Sequence, residues 1–297
     1  MPTKIEKDDA TGRYTTGHEW DGIKELDTPL PKWWLYVFYA SILFSLVYVV
    51  LYPAWPSLSG HTQGTLGYSR REELAKELAA EKARRAPMEA RIATAGIDQI
   101  RADPQLMEYV RAAGRVEFEE SCSPCHGAGG AGRKGYPSLV DDDWLWGGTP
   151  EQIWQTIRFG VRNENADSHV SDMPRFGADK LLKPQQISDV ASYVLSLSGG
   201  GSGVAINRGK TVFAENCAAC HGEDAQGNPD LGAPNLADKI WLYGGDKESV
   251  IESISNARRG SMPAWGERLD PVTVKILAAY VHSLGGGKAT STAQNSR

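Results

Sequence analysis

All four cysteines of this 297-residue chain fall in two five-residue clusters, Cys122-Ser123-Pro124-Cys125-His126 and Cys217-Ala218-Ala219-Cys220-His221. A two-residue gap closes only a tiny loop, so a disulfide within either pair would staple nothing. A zinc site would need four converging protein ligands, and each cluster offers three contiguous ones. A redox dithiol belongs in a βαβ context and has no call for a histidine at the next position. Cys-x-x-Cys-His is the attachment signature of c-type haem. Two thiols add across the two vinyl groups, and the adjacent imidazole becomes the proximal iron ligand. Cys122, Cys125 and His126 are therefore expected to hold one haem c, and Cys217, Cys220 and His221 a second.

The surroundings of the two clusters repeat, as in an array of like units. A helix is expected before each, over LMEYVRAAGRVEFEE and INRGKTVFAEN. After each comes a glycine-rich loop with a Pro-x-Leu, Pro137-Ser138-Leu139 or Pro234-Asn235-Leu236. Trp144-Leu145-Trp146-Gly147-Gly148 is matched by Trp241-Leu242-Tyr243-Gly244-Gly245, and a helix with Ile153, Ile157 and Phe159 by one with Val250, Ile251 and Ile254. Both repeats then reach Met-Pro-x-aromatic-Gly, at Met173 to Gly177 and Met262 to Gly266, and close on a helix ending Tyr193–Leu197 or Tyr280–Leu284. Residues 198–203, SGGGSG, read as the linker between two modules, 104–198 and 204–285.

Methionine is more often a core filler than a ligand, but the placement here reverses that expectation. After His126 the only methionine in the first repeat is Met173, and after His221 the only one in the second is Met262. A proline follows each and stiffens the loop that would present the thioether. Iron is thus expected to be bound by His126, Met173, His221 and Met262, with the pairing of methionine to iron left open. His/Met ligation fills both axial positions and suits electron transfer rather than oxygen or peroxide chemistry. His169, four residues before Met173, has no counterpart in the second repeat and reads as a loop histidine. His282 reads as a surface or packing residue, and His18 and His61 as bystanders.

Residues 1–32 form a polar, charged arm, followed by the uncharged run WWLYVFYASILFSLVYVVLY at Trp33–Tyr52. About twenty residues at ~1.5 Å each span a ~30 Å hydrocarbon core. Trp33, Trp34 and Tyr36 at one end, with Tyr52 and Trp55 at the other, form interfacial belts, and Pro53 and Pro56 stop the helix. A cleavable signal peptide would have a shorter apolar core and a small-residue cleavage site, so an uncleaved anchor over 33–55 is expected. Lys24 and Lys32 lie close before it, whereas no Lys or Arg follows until Arg70 and Arg71. That asymmetry, together with haem attachment outside the cytoplasmic membrane of bacteria, puts the N-terminus in the cytoplasm and the haem domains in the periplasm. Residues 56–103 read as a linker and a solvated spacer helix over 71–92, interrupted or kinked at Pro87, and 286–297 as a disordered tail. A net charge of -5 without a basic stripe excludes a nucleic-acid partner. The fold class expected is all-α: one N-terminal transmembrane helix plus two tandem cytochrome c-type haem domains.

The chain from TTGHEWDGIKELDTPLPKWW (Thr15–Trp34) through the anchor and both haem modules resembles the dihaem subunit of cbb3-type cytochrome c oxidases. Cys-x-x-Cys-His alone belongs to many cytochromes; the Gly-His-Glu-Trp-Asp-Gly-Ile run ahead of Pro-Leu-Pro-Lys-Trp-Trp is far more specific. Some members of the family carry two transmembrane helices, and this sequence shows one. The resemblance implies a non-catalytic subunit that takes electrons from a donor cytochrome c. It would pass them to the monohaem subunit and the haem–copper catalytic subunit of a proton-pumping oxidase. The competing readings are an electron-transfer subunit of another membrane dehydrogenase or reductase, and a dihaem peroxidase, which would need an iron with an open position.

Overall fold

A computed structural model describes residues 4–287, so most of the expected tail lies outside the described residues. The chain divides into two compact units, Met1–Lys82 and Ala83–Arg297.

In the first unit the charged arm is structured. Strands β1 (Thr15–Trp20) and β2 (Ile23–Leu26) pair antiparallel, with Trp20 opposite Ile23 and Glu19 opposite Lys24. The two residues between them, Asp21 and Gly22, both take positive φ, 50° and 84°. That backbone matches the strand twist in a two-residue hairpin, and Asp-Gly is a residue pair that adopts it cheaply. Helix α1 (Lys32–Leu51) follows, and none of its residues is buried. It is apolar on every side, which in water would leave its whole surface unpaired with anything favourable. Its two serine hydroxyls are satisfied internally: Ser41 Oγ donates to the Phe38 carbonyl and Ser45 Oγ to that of Ser41, both at 2.8 Å. Such a helix is a single-pass membrane anchor. It ends before Pro53, with a short hairpin of β3 (Pro56–Ser57) and β4 (Gly60–His61) beyond it.

Helix α2 (Arg70–Thr94) runs on through Pro87 without interruption, at the position where an interruption or kink was expected. Proline removes one intrahelical bond, and here the orphaned Ala83 carbonyl lies on an exposed surface where water can satisfy it. Nor is the end of α2 a mere spacer. Ile92 is fully buried, and Lys275, far along the chain, donates to the carbonyls of Ala93 (2.8 Å) and Ala95 (3.0 Å) and so caps the helix C-terminus.

The rest of the second unit comprises α3 (Ile97–Ala102), α4 (Pro104–Ser121), α5 (Ser123–His126), α6 (Pro150–Phe159), α7 (Pro184–Gly199), α8 (Val204–Asn216), α9 (Ala218–His221), α10 (Lys247–Asn256) and α11 (Pro271–His282). Proline at the first turn with a capping side chain starts several of them: Asp103 accepts from Gln105 and Leu106 N–H at α4, and Asp270 from Val272 and Thr273 N–H at α11. In α4 the buried residues Leu106, Val110, Gly114 and Phe118 recur every four positions and so form one stripe.

The stripes do not pair as the repeats suggest. The final helix of the first repeat, α7, packs against the first helix of the second, α8, and against α10; the final helix of the second repeat, α11, packs against α4 and α6. Two hydrophobic clusters result. One joins Phe118, Cys122, Ile153 and Ile157 to Val274, Leu277 and Val281, with Ile92, Ile97 and Ile100 beneath them. The other joins Val190 and Val194 to Val212, Phe213, Val250 and Ile254. The two hydrophobic clusters therefore draw on both of the repeats expected at 104–198 and 204–285. One cluster is built within a continuous stretch from about 173 to 256, and the other from the chain on either side of it. The segment expected to separate modules is a physical reason: Gly200 to Gly203 leaves only four residues between α7 and α8, short enough to fold them into an antiparallel hairpin.

Both helix crossings depend on a glycine. A Cβ on Gly114 would sit 2.7 Å from Tyr280 Cβ, and one on Gly209 would run into the Asp189 carbonyl and lie 2.8 Å from Tyr193 Cβ. Each tyrosine also meets a phenylalanine one turn further along: Phe118–Tyr280 centroids are 5.7 Å apart and Tyr193–Phe213 5.3 Å. Gly114→Val is expected to destabilise its cluster by about 1–3 kcal/mol, the usual cost of overpacking. A thermal melt of the purified chain with an unchanged midpoint would contradict this close crossing.

Candidate haem sites

Each Cys-x-x-Cys-His is a single helical turn appended to the end of a longer helix. The Cys122 carbonyl accepts from Cys125 N–H (3.1 Å) and His126 N–H (2.9 Å), and the Cys217 carbonyl from Cys220 N–H (3.1 Å) and His221 N–H (3.0 Å). The turn brings two thiols and a ring onto neighbouring faces; all four cysteines are free, with Cys122 buried and Cys125 and Cys220 exposed. The loops that follow close alike. Gly132 N–H donates to the His126 carbonyl at 2.7 Å and Gly227 N–H to that of His221 at 2.8 Å.

These loops bring the Pro-x-Leu segments back over the histidines. His126 Nδ1 lies 2.9 Å from the Pro137 carbonyl, and His221 Nδ1 3.0 Å from that of Pro234. A carbonyl only accepts, so each Nδ1 carries the proton and each Nε2 keeps its lone pair for a metal. Burial pushes both imidazoles below the ordinary histidine pKa, against the smaller opposing effect of the carbonyl. The rings are therefore neutral at neutral pH, as an iron ligand must be. Burial also pushes the Cys122 thiol up to about 12 and that of Cys217 to about 11. Thiols so reluctant to ionise are poorly suited to a redox dithiol, which depends on a lowered thiol pKa.

The residues fit the cofactor. A cavity of about 450 Å³ has Cys217, Cys220 and His221 on its wall together with Met173, Phe176 and Trp241. Both cysteines, the neutral imidazole and a thioether thus face one largely apolar space of the size that buries a macrocycle. At the other turn, Cys122 shares its cluster with Met262, Trp144 and Trp265. Haem c bound in this way supplies a reversible one-electron iron couple. The chain's own residues fix the imidazole tautomer, exclude water and hold the group covalently.

His169 is not aimed at a metal. Its ring stacks on Trp146 (centroids 4.5 Å apart, 16° between planes), and its Nε2 lies 3.1 Å from Thr156 Oγ1. His282 is buried, whereas His18 and His61 are exposed and lie in the first unit. Sequence reading missed the Pro137 and Pro234 carbonyls as histidine partners, although the repeated Pro-x-Leu marked the place. It also missed Asn163, whose Nδ2 donates to the Met262 carbonyl at 2.7 Å; Asn163 has no recurring motif around it.

An all-α body carrying two such turns, joined to one apolar anchor helix, defines a membrane-anchored c-type cytochrome with two covalently bound haems. Comparison with known proteins makes the assignment specific. Residues 12–59 match the family described as the N-terminal domain of cytochrome oxidase-cbb3, FixP, and residues 110–194 and 204–281 match cytochrome c oxidase, cbb3-type, subunit III. The chain is 52% identical to the cbb3-type cytochrome c oxidase subunit FixP of Bradyrhizobium diazoefficiens, over 97% of this chain and 100% of that one. It is 50% identical to subunit CcoP of Azospirillum sp. B510 (95% and 98%) and 49% identical to that of Cereibacter sphaeroides (92% and 95%). The chain belongs to this family of dihaem, electron-transferring subunits of cbb3-type cytochrome c oxidase, in which it carries electrons without being the catalyst.

Because His169 is held by Thr156 and Trp146, His169→Ala is expected to leave the axial spectra of both haems unchanged, at a stability cost of about 1 kcal/mol. Loss of a low-spin signal in the absorption spectrum of the variant would show that it reaches an iron after all.

Proposed function

We propose that this subunit takes electrons from a donor cytochrome c and relays them to the monohaem subunit, and thence to the haem–copper subunit that reduces oxygen. Cys122, Cys125 and His126 bind one haem and Cys217, Cys220 and His221 the other, with Met173 and Met262 as the distal iron ligands. The observation that carries this reading is the twin arrangement of a neutral imidazole, tautomer fixed by a proline carbonyl, beside a first cysteine (Cys122 or Cys217) that packs in a cluster with the methionine of a Met-Pro-x-aromatic-Gly loop. With both axial positions filled, the irons exchange electrons and do not take up oxygen or peroxide.

The N-terminal arm lies in the cytoplasm and the haem-bearing body in the periplasm. Support comes from Lys32, which opens α1, while Arg70 and Arg71 come only well after its end. Lys24 adds less, because it is paired with Glu6 at 2.5 Å. A donor with a basic face would be steered by the acidic excess of the chain. Within the Asp141–Asp143 run only Asp142 is exposed, so steering would come from the surface as a whole.

Gentle solubilisation of a chain tagged at its C-terminus is expected to recover haem b and copper in fixed ratio, together with oxygen uptake on reduced cytochrome c. Recovery of the dihaem chain alone, or with a dehydrogenase, would remove it from the relay while leaving an electron carrier. In the recovered complex, Cys217→Ala combined with Cys220→Ala should reduce the covalent haem of this subunit from two groups to one. Electron uptake from a basic donor should also slow as salt is raised; a salt-independent rate would dispose of electrostatic steering.

A further inference from the structure

The third residue of each Trp-Leu-aromatic-Gly-Gly segment, Trp146 or Tyr243, is anchored in its own repeat and reaches into the other. The Trp146 ring is buried. It stacks on His169, and the Arg162 guanidinium lies 5.8 Å from its centroid. Arg162 is itself fixed, its Nε donating to the Gly260 carbonyl at 2.9 Å and its Nη1 to that of Ser171 at 2.8 Å. Tyr243 is half-buried, with the Arg258 guanidinium 4.9 Å from its centroid. The two arginines stand just past α6 and α10, and cation–ring contacts of this kind help to hold an aromatic in place.

Each ring then meets a glycine of the opposite repeat. A Cβ on Gly232 would run into the Trp146 indole, and one on Gly135 would lie 3.5 Å from Tyr243 Cε1. The two glycines are equivalent. Each stands two residues before the proline whose carbonyl faces a haem-turn histidine, Pro234 for His221 and Pro137 for His126. Each also takes a positive φ, 59° at Gly232 and 86° at Gly135, in the bend that returns the proline to the imidazole. The contacts differ in one respect. Gly135 N–H donates across the repeats to the Leu242 carbonyl at 2.8 Å, whereas Gly232 N–H turns back within its own loop to the Pro229 carbonyl at 3.4 Å.

From these contacts, and resting on the assignment above of His126 and His221 as iron ligands, we infer that Trp146 and Tyr243 are positioning residues that each set the iron potential of the opposite repeat. Trp146 acts on the haem of His221, and Tyr243 on that of His126. The ring fixes the glycine bend, the bend fixes the proline carbonyl, and the carbonyl sets how strongly the imidazole donates to iron. A slackened carbonyl leaves a less basic imidazole, which disfavours the ferric state and raises the potential.

Redox titration of the full-length, membrane-extracted chain tests this once the two haems can be told apart. Cys220 is exposed, and Cys220→Ala should leave its haem attached through one thioether, with a free vinyl group that shifts the visible α band of that haem alone. In this background Trp146→Leu is expected to raise the midpoint of the marked haem and leave the unmarked one in place. Tyr243→Leu should raise the unmarked one, by a smaller step because the bond from Gly135 to Leu242 remains. Trp146→Phe, which keeps a ring against Gly232, should restore most of the parent midpoint. All three variants should stay low-spin, since no axial ligand is touched. A marked haem whose midpoint stays or falls in Trp146→Leu, or an unmarked one that moves instead, would overturn the inference. A parent chain with fewer than two covalent haems by pyridine haemochrome would remove the ligand assignment itself, and the inference with it, so the two failures are distinct. Should Cys220→Ala fail to mature, Cys125→Ala, also exposed, marks the other haem; should Trp146→Leu fail to fold, Trp146→Met is titrated in its place against the same two outcomes.

Discussion

Two helix crossings, each closed over a glycine, organise the haem-bearing body of this protein. The helix leading into a Cys-x-x-Cys-His turn can be pinned only if its partner approaches to within backbone contact, and Gly114 and Gly209 permit that approach to Tyr280 and Tyr193. Once the helix is pinned, the turn at its end is pinned with it. The loop that follows can then return a proline carbonyl to the histidine Nδ1. The lone pair offered to iron is therefore set by packing more than ten residues away along the chain. Phe118 and Phe213, almost wholly buried beside the crossings, contribute on the order of 1.5–3 kcal/mol each through removal of apolar area from water.

The chemistry of the site was written locally and so was legible in the sequence. Haem attachment needs three residue types within five positions, and the anchor needs one unbroken apolar run; both are contiguous signals. The methionines stood out as candidates because a repeat supplies its own internal control. What sequence reading did not deliver was long-range: which of two equivalent helices fills which of two equivalent grooves. The stripes on α7 and α11 are interchangeable in pattern, both ending in Tyr-Val and Ser-Leu, so periodicity cannot choose between them. The choice follows from the four-residue turn between α7 and α8, which looked like a tether and acts as a hairpin. The Asp21-Gly22 hairpin was a different kind of miss, since its signal was short-range and present, but it lay in a segment read for charge and resemblance and not for turns.

The exchanged packing also accounts for features that a row of two independent modules would leave unexplained. Lys275, on the last helix, caps the end of α2, and Ile92, Ile97 and Ile100 sit under the same cluster as Val274 and Leu277. The stretch before the first repeat is thereby part of the core. For a subunit that must hold two irons in a fixed relation while tethered by one helix, interlocking resists the independent drift expected of modules joined by a flexible linker.

The nesting has a consequence for biogenesis. As the chain emerges N-terminus first, the groove on α4 and α6 is presented early but its occupant, α11, comes last. The intervening stretch from about Met173 to Asn256 has all its own partners and can close while the outer half is still waiting. Ile153, Ile157 and Phe118 must remain uncovered through the synthesis of more than a hundred further residues, a long-range closure of the kind that slows folding. Packing around the first Cys-x-x-Cys-His turn is thus tied to arrival of the C-terminal end. A chain cut short within α11 loses the cluster that holds the first turn in sequence before it loses the second.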